Sequence, residues 1–131
     1  MVYKTPGTPR FKITRPKDDD DIIDSNLQSS YRSGVGMLLF LTKYSRPDIC
    51  NIVRELSKCM DKATMGTYQE MLRVIKFVID TKNFGLKIHP KIKIKNWSLH
   101  VYSDSDRAGD SESRISVTGF MIYLINVTIL V

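Results

Sequence analysis

The sequence predicts an α+β protein in which a helical half is followed by a half made mainly of β-strands. Between residues 24 and 82, apolar residues recur at three- and four-residue spacing, which is typical of amphipathic helices. After residue 98, alternating and β-branched stretches predict strands instead. We therefore expect three packed helices over residues 24–82, a connector over 83–97, and a small, mainly antiparallel sheet over 98–131.

The composition is that of a basic globular protein. The chain has 131 residues, of which 42% are hydrophobic and 26% charged, so a buried core is expected. The formal net charge of +6 fits a polyanionic partner such as nucleic acid. A basic domain without such a partner fits the same charge equally well.

The cysteines and the apolar runs exclude several classes of protein. Cys50 and Cys59 form no CxxC pair and both histidines lie far from them, so we expect free thiols in a reducing compartment rather than a zinc site. Residues 1–10 contain no apolar signal segment, and Phe120–Val131 is too short to span a bilayer. The sequence therefore predicts an intracellular protein, cytoplasmic or nuclear and not secreted, with no membrane partner.

Residues 1–23 are expected to form an extended, exposed leader. Pro6, Pro9 and Pro16 interrupt any helix. The run Asp18–Asp21 consists of four aspartates, whose mutual repulsion favours a solvated stretch. Four clustered carboxylates could also suggest a metal site, but nothing in the surrounding sequence predicts a cage around them.

The first helix is predicted to run from about Ser25 to Lys43, with Asp24 or Ser25 as its N-cap. Its apolar stripe consists of Leu27, Tyr31, Val35, Leu38 and Thr42. Gly34 and Gly36 lie within it, and each is less favourable in a helix than alanine by about 1 kcal/mol. Two glycines in one helix predict that another group approaches its backbone closely.

Two further helices follow in the helical half. The second is predicted to begin at Ser45–Asp48, where a proline suits the first turn and an aspartate complements the helix dipole. The third is predicted to begin with a capping box formed by Thr67 and Glu70. The predicted buried faces are Ile49, Ile52, Val53, Leu56 and Met60 in the second helix, and Met71, Leu72, Ile75, Val78 and Ile79 in the third.

The second half contains four segments with strand-like patterns. Residues 84–88 and 91–95 are short β-like segments, Leu99–Ser103 is a clear strand, and Ile115–Val127 is predicted to be a buried strand. The polar stretch Asp104–Ser113 is predicted to be a loop between strands.

Acidic residues are concentrated in that predicted loop. Asp104, Asp106 and Asp110 follow directly after an apolar strand, a position from which carboxylates can bind a hard divalent cation. From spacing alone an acidic turn is the simpler explanation, because aspartate and glycine are common turn residues.

Several strings in series resemble copia-type retrotransposon polyproteins. They are Tyr31–Leu41, Arg46–Ile49, Leu72–Lys76, Thr81–Leu86 and, within Tyr102–Phe120, the strings Tyr102-Ser103-Asp104-Ser105-Asp106, Ala108-Gly109-Asp110 and Thr118-Gly119-Phe120. The resemblance extends from about residue 3 to residue 124. It implies that residues 24–82 correspond to the thumb and connecting helices at the end of a reverse transcriptase. Residues 98–131 would then correspond to the first strands of a ribonuclease H domain.

The resemblance also implies a catalytic and metal-binding residue. Ribonuclease H of this family holds two metal ions, normally Mg²⁺, with several carboxylates, and the metals activate water for phosphodiester cleavage. Asp104 matches the first of these carboxylates by its position in the motif. Asp106 is the runner-up within the same string.

Three departures from the family pattern predict that the chain is catalytically inactive alone. The family usually has tryptophan where this chain has Arg107, and the polymerase motif Tyr-x-Asp-Asp is absent. The sequence also reaches Val131 without the glutamate and later aspartates of the metal site. We therefore expect a fragment that binds no Mg²⁺ stably by itself, with a longer Pol polyprotein as one candidate partner.

The first helix carries the second site that the resemblance implies. Reverse-transcriptase thumbs lay one helix against the primer–template, and Arg32, Gly36 and Phe40 share one face of the predicted helix. Arginine could contact phosphate, glycine permits close approach, and an aromatic ring can pack on sugars, so an RNA–DNA hybrid or DNA duplex is the expected partner. The alternative places Phe40 in the core and Gly36 at a helix–helix contact. A third hypothesis is a helical protein-interaction domain without inherited activity.

Overall fold

The computed structural model describes residues 3–14, 16, 21–86, 98–106, 114–124 and 127–130, and it confirms the α+β class. Its elements are the helices α1 (Ser25–Tyr44), α2 (Cys50–Ser57) and α3 (Met65–Asp80), a 3₁₀ turn at Pro47–Ile49, and the strands β1 (Leu99–Asp106), β2 (Val117–Leu124) and β3 (Val127–Leu130). The chain divides into two compact units, residues 1–86 and residues 87–131. Within the described ranges, none of the helices is both long and apolar enough to cross a membrane.

Helix α1 begins where the sequence predicts it, because Asp24 caps it. The Asp24 side chain accepts a hydrogen bond from the Leu27 N–H at 2.8 Å, which satisfies one of the free donors of the first turn. Its buried side chains include Tyr31, Val35 and Leu38, as the apolar spacing predicts. This face forms one wall of the core of the first unit.

The second predicted helix starts later than the sequence suggests. Pro47–Ile49 form a 3₁₀ turn, and α2 begins only at Cys50. Arg46, which precedes the turn, is 5% exposed and donates hydrogen bonds to both carboxylate oxygens of Asp48 at 2.9 and 2.8 Å. The Asp48 side chain is therefore bound to Arg46, and α2 begins without a side-chain cap.

The predicted capping box of α3 is wrong, because the helix begins earlier. Its N-cap is Thr64, which is extended (ψ 165°) and accepts from the Thr67 N–H at 3.3 Å. Thr64 is held there by an antiparallel bridge to Ile22. Glu70 does not reach back to a helix N–H and instead accepts two hydrogen bonds from Thr8.

The buried face of α3 is also rotated from the predicted one. Val74 and Phe77 are buried, whereas Leu72 and Ile79 are 47% and 62% exposed. The buried side of α3 also includes Thr67 and Glu70, so in the sequence it does not read as a continuous apolar stripe. The Glu70 carboxylate is tolerated there because it is hydrogen-bonded.

The expected exposed leader is in fact partly packed into the core. We call residues 3–14 the N-terminal strap. Within it, Ile13 is 9% exposed, and Tyr3 and Phe11 pack against the core cluster; Ile23, just before α1, is 7% exposed. Three of the four aspartates of the run, residues 18–20, lie outside the described residues.

The second unit contains an antiparallel sheet in the order β1-β2-β3. Strand β1 continues to Asp106, so Asp104 lies in a strand and not in the predicted loop. The long strand predicted over 115–127 is two strands, β2 and β3, since the chain turns back after Leu124. Residues 84–86 are not in a strand, and the predicted segment 91–95 and most of the predicted loop lie outside the described residues.

The buried apolar core lies in the first unit. All described hydrophobic side chains that are buried lie between residues 13 and 77. In the second unit, by contrast, Leu99, Val101 and Ile115 are 61%, 59% and 65% exposed. The helical unit therefore contributes most of the buried apolar surface that the described residues provide.

Candidate nucleic-acid interface

The exposed face of α1 carries the three predicted nucleic-acid-binding residues. Arg32, Gly36 and Phe40 follow one another at four-residue spacing and all are exposed, on the side of α1 opposite its buried stripe. Phe40 is 63% exposed, and a Cβ atom added to Gly36 would meet nothing within 4 Å. The alternative, with Phe40 in the core and Gly36 at a helix contact, is therefore wrong.

Arg32 is oriented by the chain that follows α2. Its Nε donates a hydrogen bond to the carbonyl oxygen of Met60 at 2.6 Å. A guanidinium has four further N–H donors in a planar fork, a geometry that suits phosphate oxygens. This single contact fixes the direction of the side chain while the residue stays exposed.

Two residues that the sequence analysis missed extend the same face. The rings of Phe40 and Tyr44 pack with their centroids 4.6 Å apart, and the Lys43 ammonium lies 5.4 Å from the centre of the Tyr44 ring. Tyr44 continues the spacing of four from Phe40, so that spacing could have identified it. We call Arg32, Gly36, Phe40, Lys43 and Tyr44 the α1 face; it combines two cations with two exposed aromatic rings.

The predicted catalytic residue Asp104 lies on strand β1, opposite Gly119 of β2. It is exposed. Asp106, the runner-up, ends the same strand opposite Val117, and the structure describes only its backbone. Across the described residues, no three His, Cys, Asp or Glu side chains are grouped so that they could hold a metal ion. Because the Asp106 side chain and Asp110 lie outside the described part of the chain, the Mg²⁺ site that the resemblance implies stays a prediction.

Aromatic residues surround an open depression of about 380 Å³ on the Asp104 side of the sheet. Its walls are His100, Tyr102, Met121 and Tyr123, which alternate with the residues of the other face. Tyr102 and Tyr123 meet edge to face, with ring centroids 5.7 Å apart. The described residues that line the depression are mainly aromatic, and none of them is a carboxylate.

Shifted pKa values occur in the helical unit, at Asp48 and Tyr31. Hydrogen bonding from Arg46 holds the pKa of Asp48 below its usual range, although partial burial opposes the shift. Burial raises the pKa of Tyr31 far above its ordinary value, and Cys59 adds to the effect. The Tyr31 hydroxyl donates to the Leu56 carbonyl at 2.6 Å, so this group is structural.

Comparison with known proteins supplies relatives for the chain. It is 36% identical over 96 residues to a retrovirus-related Pol polyprotein from transposon RE1 of Arabidopsis thaliana, and 34% identical over 96 residues to the one from transposon RE2. Each match covers 73% of this chain and 6% of the polyprotein. A third relative, 33% identical over 94 residues, is named secreted RxLR effector protein 161 of Plasmopara viticola; the match covers 72% of this chain and 64% of that protein.

No protein-family profile and no solved structure matches the chain. The chain spans a small part of the two Pol polyproteins, whose names describe proteins many times its length. Over almost three quarters of its residues, this chain is related to a region of retrovirus-related Pol polyproteins from transposons.

Proposed function

We propose that the chain is a segment of a copia-type Pol polyprotein, from the end of the reverse transcriptase into the start of ribonuclease H, that binds nucleic-acid duplexes weakly and catalyses neither reaction alone. The observation that carries the binding proposal is the α1 face. Tyr31, Val35 and Leu38 hold the opposite side of the helix in the core, which leaves Arg32 and Phe40 available to a partner.

The chemistry of the α1 face suits a duplex backbone. The Arg32 guanidinium and the Lys43 ammonium can neutralise phosphates, and the exposed rings can pack on sugars. Gly36 lies between them with open space above it, so a backbone can approach the helix axis there. With few phosphate contacts, we expect non-specific affinity no better than about micromolar at physiological salt.

A binding titration with matched variants tests the α1 face. Arg32→Glu should weaken binding of a labelled RNA–DNA hybrid at low salt and reduce the dependence of affinity on salt, because one phosphate contact becomes a repulsion. Lys82→Glu makes the same charge change at an exposed position after α3 and should have a smaller effect. Equal loss in both variants would show that net charge alone attracts the duplex.

A second pair of variants separates shape from charge. Phe40→Ala removes an exposed ring, so it should weaken binding with little change in stability. Gly36→Ala should stabilise the helix, because alanine has the higher helix propensity. It should also weaken binding of the hybrid, because the added methyl group obstructs close approach of the duplex to the helix backbone. Should Gly36→Ala bind the hybrid as well as the unmodified chain does, the close-approach role of Gly36 is excluded.

The proposed lack of ribonuclease H activity is supported by the missing family carboxylates, since Asp104 is the one residue that matches the first of them by its position in the motif. The purified chain should leave an RNA–DNA hybrid intact in Mg²⁺ or Mn²⁺, since one carboxylate cannot hold the two ions that such cleavage uses. Asp104→Asn provides the control for contaminating nucleases. Cleavage by the unmodified chain that disappears in Asp104→Asn would overturn this part of the proposal.

A further inference from the structure

An open groove of about 470 Å³ lies within the first unit, between the N-terminal strap and the segment that begins α2. One wall is formed by the strap from Pro6 to Lys12, and the other includes Asp48, Asn51 and Arg54. The groove is separate from the residues of the α1 face, none of which lines it.

Among the described side chains that line the groove, three are cationic and two are anionic. Its two carboxylates are already neutralised, because Asp48 is paired with Arg46 at 2.8 Å and Glu55 with Arg54 and Lys58 at 3.0 and 3.1 Å. Arg10 and Lys12 also line the groove, both are exposed, and neither forms an ion pair with another described residue. Among the described residues that line the groove, the cations without a carboxylate partner are therefore the two of the strap, Arg10 and Lys12.

The backbone at Arg10 is the second observation. The Phe11 N–H donates to the Thr8 carbonyl at 3.0 Å, which closes a turn with Pro9 and Arg10 at its centre. Proline restricts the first central residue to negative φ, and Arg10 has φ 62°, so the turn is of type II. Glycine is the preferred residue at this second position, because an L-residue there is strained.

An arginine therefore occupies a position where glycine would be easier to accommodate. The turn keeps its shape because the strap is fixed on both sides, by Thr8 bound to Glu70 and by the Ile13 N–H donating to Glu55 at 3.3 Å. Residues held in unfavourable backbone conformations occur disproportionately at binding sites. Here the strained residue is also one of the two groove cations that form no ion pair with a described residue.

We propose that this groove binds the phosphate groups of a nucleic-acid strand, with Arg10 and Lys12 as the phosphate-binding side chains. Asn51, on the opposite wall, adds an uncharged hydrogen-bonding group. The groove is open to solvent, and its cations stand at separate positions along the strap rather than around one point. This arrangement suits a chain of phosphates better than a single phosphate ion.

The test exploits opposite effects on folding and on binding. Arg10→Gly relieves the strained turn, so the thermal midpoint of the full chain should stay the same or rise. The same change removes one phosphate contact, so affinity for labelled single-stranded oligodeoxythymidine should fall about tenfold at low salt, with a salt slope shallower by about 1. Lys12→Gln should weaken binding similarly and gives a second measurement should Arg10→Gly fail to fold.

The chain contains a matched control for this experiment. Arg114 is the other described non-glycine residue with positive φ, 57°, and it is exposed in the second unit. Arg114→Gly removes the same charge from the same type of backbone, and affinity should be unchanged. An equal loss in Arg114→Gly, or no loss in Arg10→Gly and Lys12→Gln, overturns the proposal.

Competition experiments with other anions show which kind of ligand the groove binds. Unlabelled oligodeoxythymidine should displace the labelled strand, while polyglutamate of equal charge should displace it poorly. Equal competition by polyglutamate would mean that the groove binds acidic chains in general. Displacement by inorganic phosphate at equal phosphate concentration would mean that the groove binds single ions. Either result would overturn the proposal that the groove binds a nucleic-acid strand. Arg32→Glu separates this site from the α1 face, since the effect of Arg10→Gly should persist in the double variant.

Discussion

At the scale of single residues, Tyr31 shows how one buried hydroxyl stabilises the helical unit. The side chain is fully buried, and its hydroxyl donates to the carbonyl of Leu56 at 2.6 Å, which joins α1 to α2. A buried carbonyl that loses its donor is costly, because no water replaces it. The contact therefore contributes more than the apolar area of the ring alone.

Replacing Tyr31 by phenylalanine should lower the free energy of unfolding by about 1 kcal/mol, because the Leu56 carbonyl loses its shorter hydrogen bond and keeps the one from the Cys59 N–H at 3.3 Å. Since burial raises the pKa of Tyr31, the folded state favours its neutral form. Stability should therefore fall as pH rises above about 10, the pKa of tyrosine in an unfolded chain. Urea titrations at increasing pH measure this fall, and Tyr31→Phe should show less of it.

Tyr44→Phe is the control for that alkaline titration, since Tyr44 is 62% exposed. Removing its exposed hydroxyl should leave the free energy of unfolding nearly unchanged. A pH dependence that is identical in Tyr31→Phe and Tyr44→Phe would mean that other groups, such as lysines, cause the alkaline loss.

At the scale of elements, the two glycines of α1 differ in what they do. A Cβ atom on Gly34 would lie 2.5 Å from the Met71 sulfur of α3, so this glycine allows the two helices to approach closely. A Cβ atom on Gly36 meets nothing within 4 Å. The sequence predicted that another group approaches the backbone of this helix closely. The structure shows such a group, the Met71 side chain of α3, at Gly34 and not at Gly36.

These glycines form a matched pair for mutagenesis. Gly36→Ala should stabilise the chain by up to about 1 kcal/mol, since only helix propensity changes. Gly34→Ala gains the same propensity but must displace the buried Met71 side chain, a strain of about 1–3 kcal/mol, so it should be the less stable variant. Chemical denaturation of both proteins decides this, and equal stability would show that Met71 moves aside without strain.

The sequence predicted elements that depend on local signals and missed those that depend on distant partners. The start of α1 follows from Asp24 and an apolar stripe, both of which are visible in the sequence. The start of α3 depends on the bridge between Ile22 and Thr64, which no local pattern shows. The burial of Glu70 depends on Thr8, a residue 62 positions away.

The candidate nucleic-acid interface, like the helices, was predictable only where it depends on local spacing along the chain. Spacing by four predicted that Arg32, Gly36 and Phe40 share a face, because helix geometry alone decides this. Whether that face is exposed or packed in the core stayed open until the structure showed the exposure of Phe40. The groove could not be found from spacing, because it needs the strap to fold against α2. The only sequence signal was the dipeptide Pro9-Arg10, which is unremarkable until the backbone angle at Arg10 is known.

At the scale of the whole molecule, stability should be unequal between the two units. The described core is confined to the first unit, whereas the described side chains of β1 are exposed on both faces. A sheet of few strands is only marginally stable in water by itself. Hydrogen exchange on the full chain should therefore show slow amides in the three helices and faster exchange in Leu99–Ser103 and Ile115–Tyr123. Equal protection in the strands would contradict this expectation.

The N-terminal strap has a consequence for how the helical unit can be divided. A chain that begins at Asp24 keeps all three helices, but it removes Ile13 and Ile23 from the core and leaves the Glu70 carboxylate without Thr8. The smallest piece that folds must therefore begin ahead of Thr8, although the residues there form no regular element. A single proteolytic cut beside Arg10 should accordingly loosen helices whose own peptide bonds are all intact.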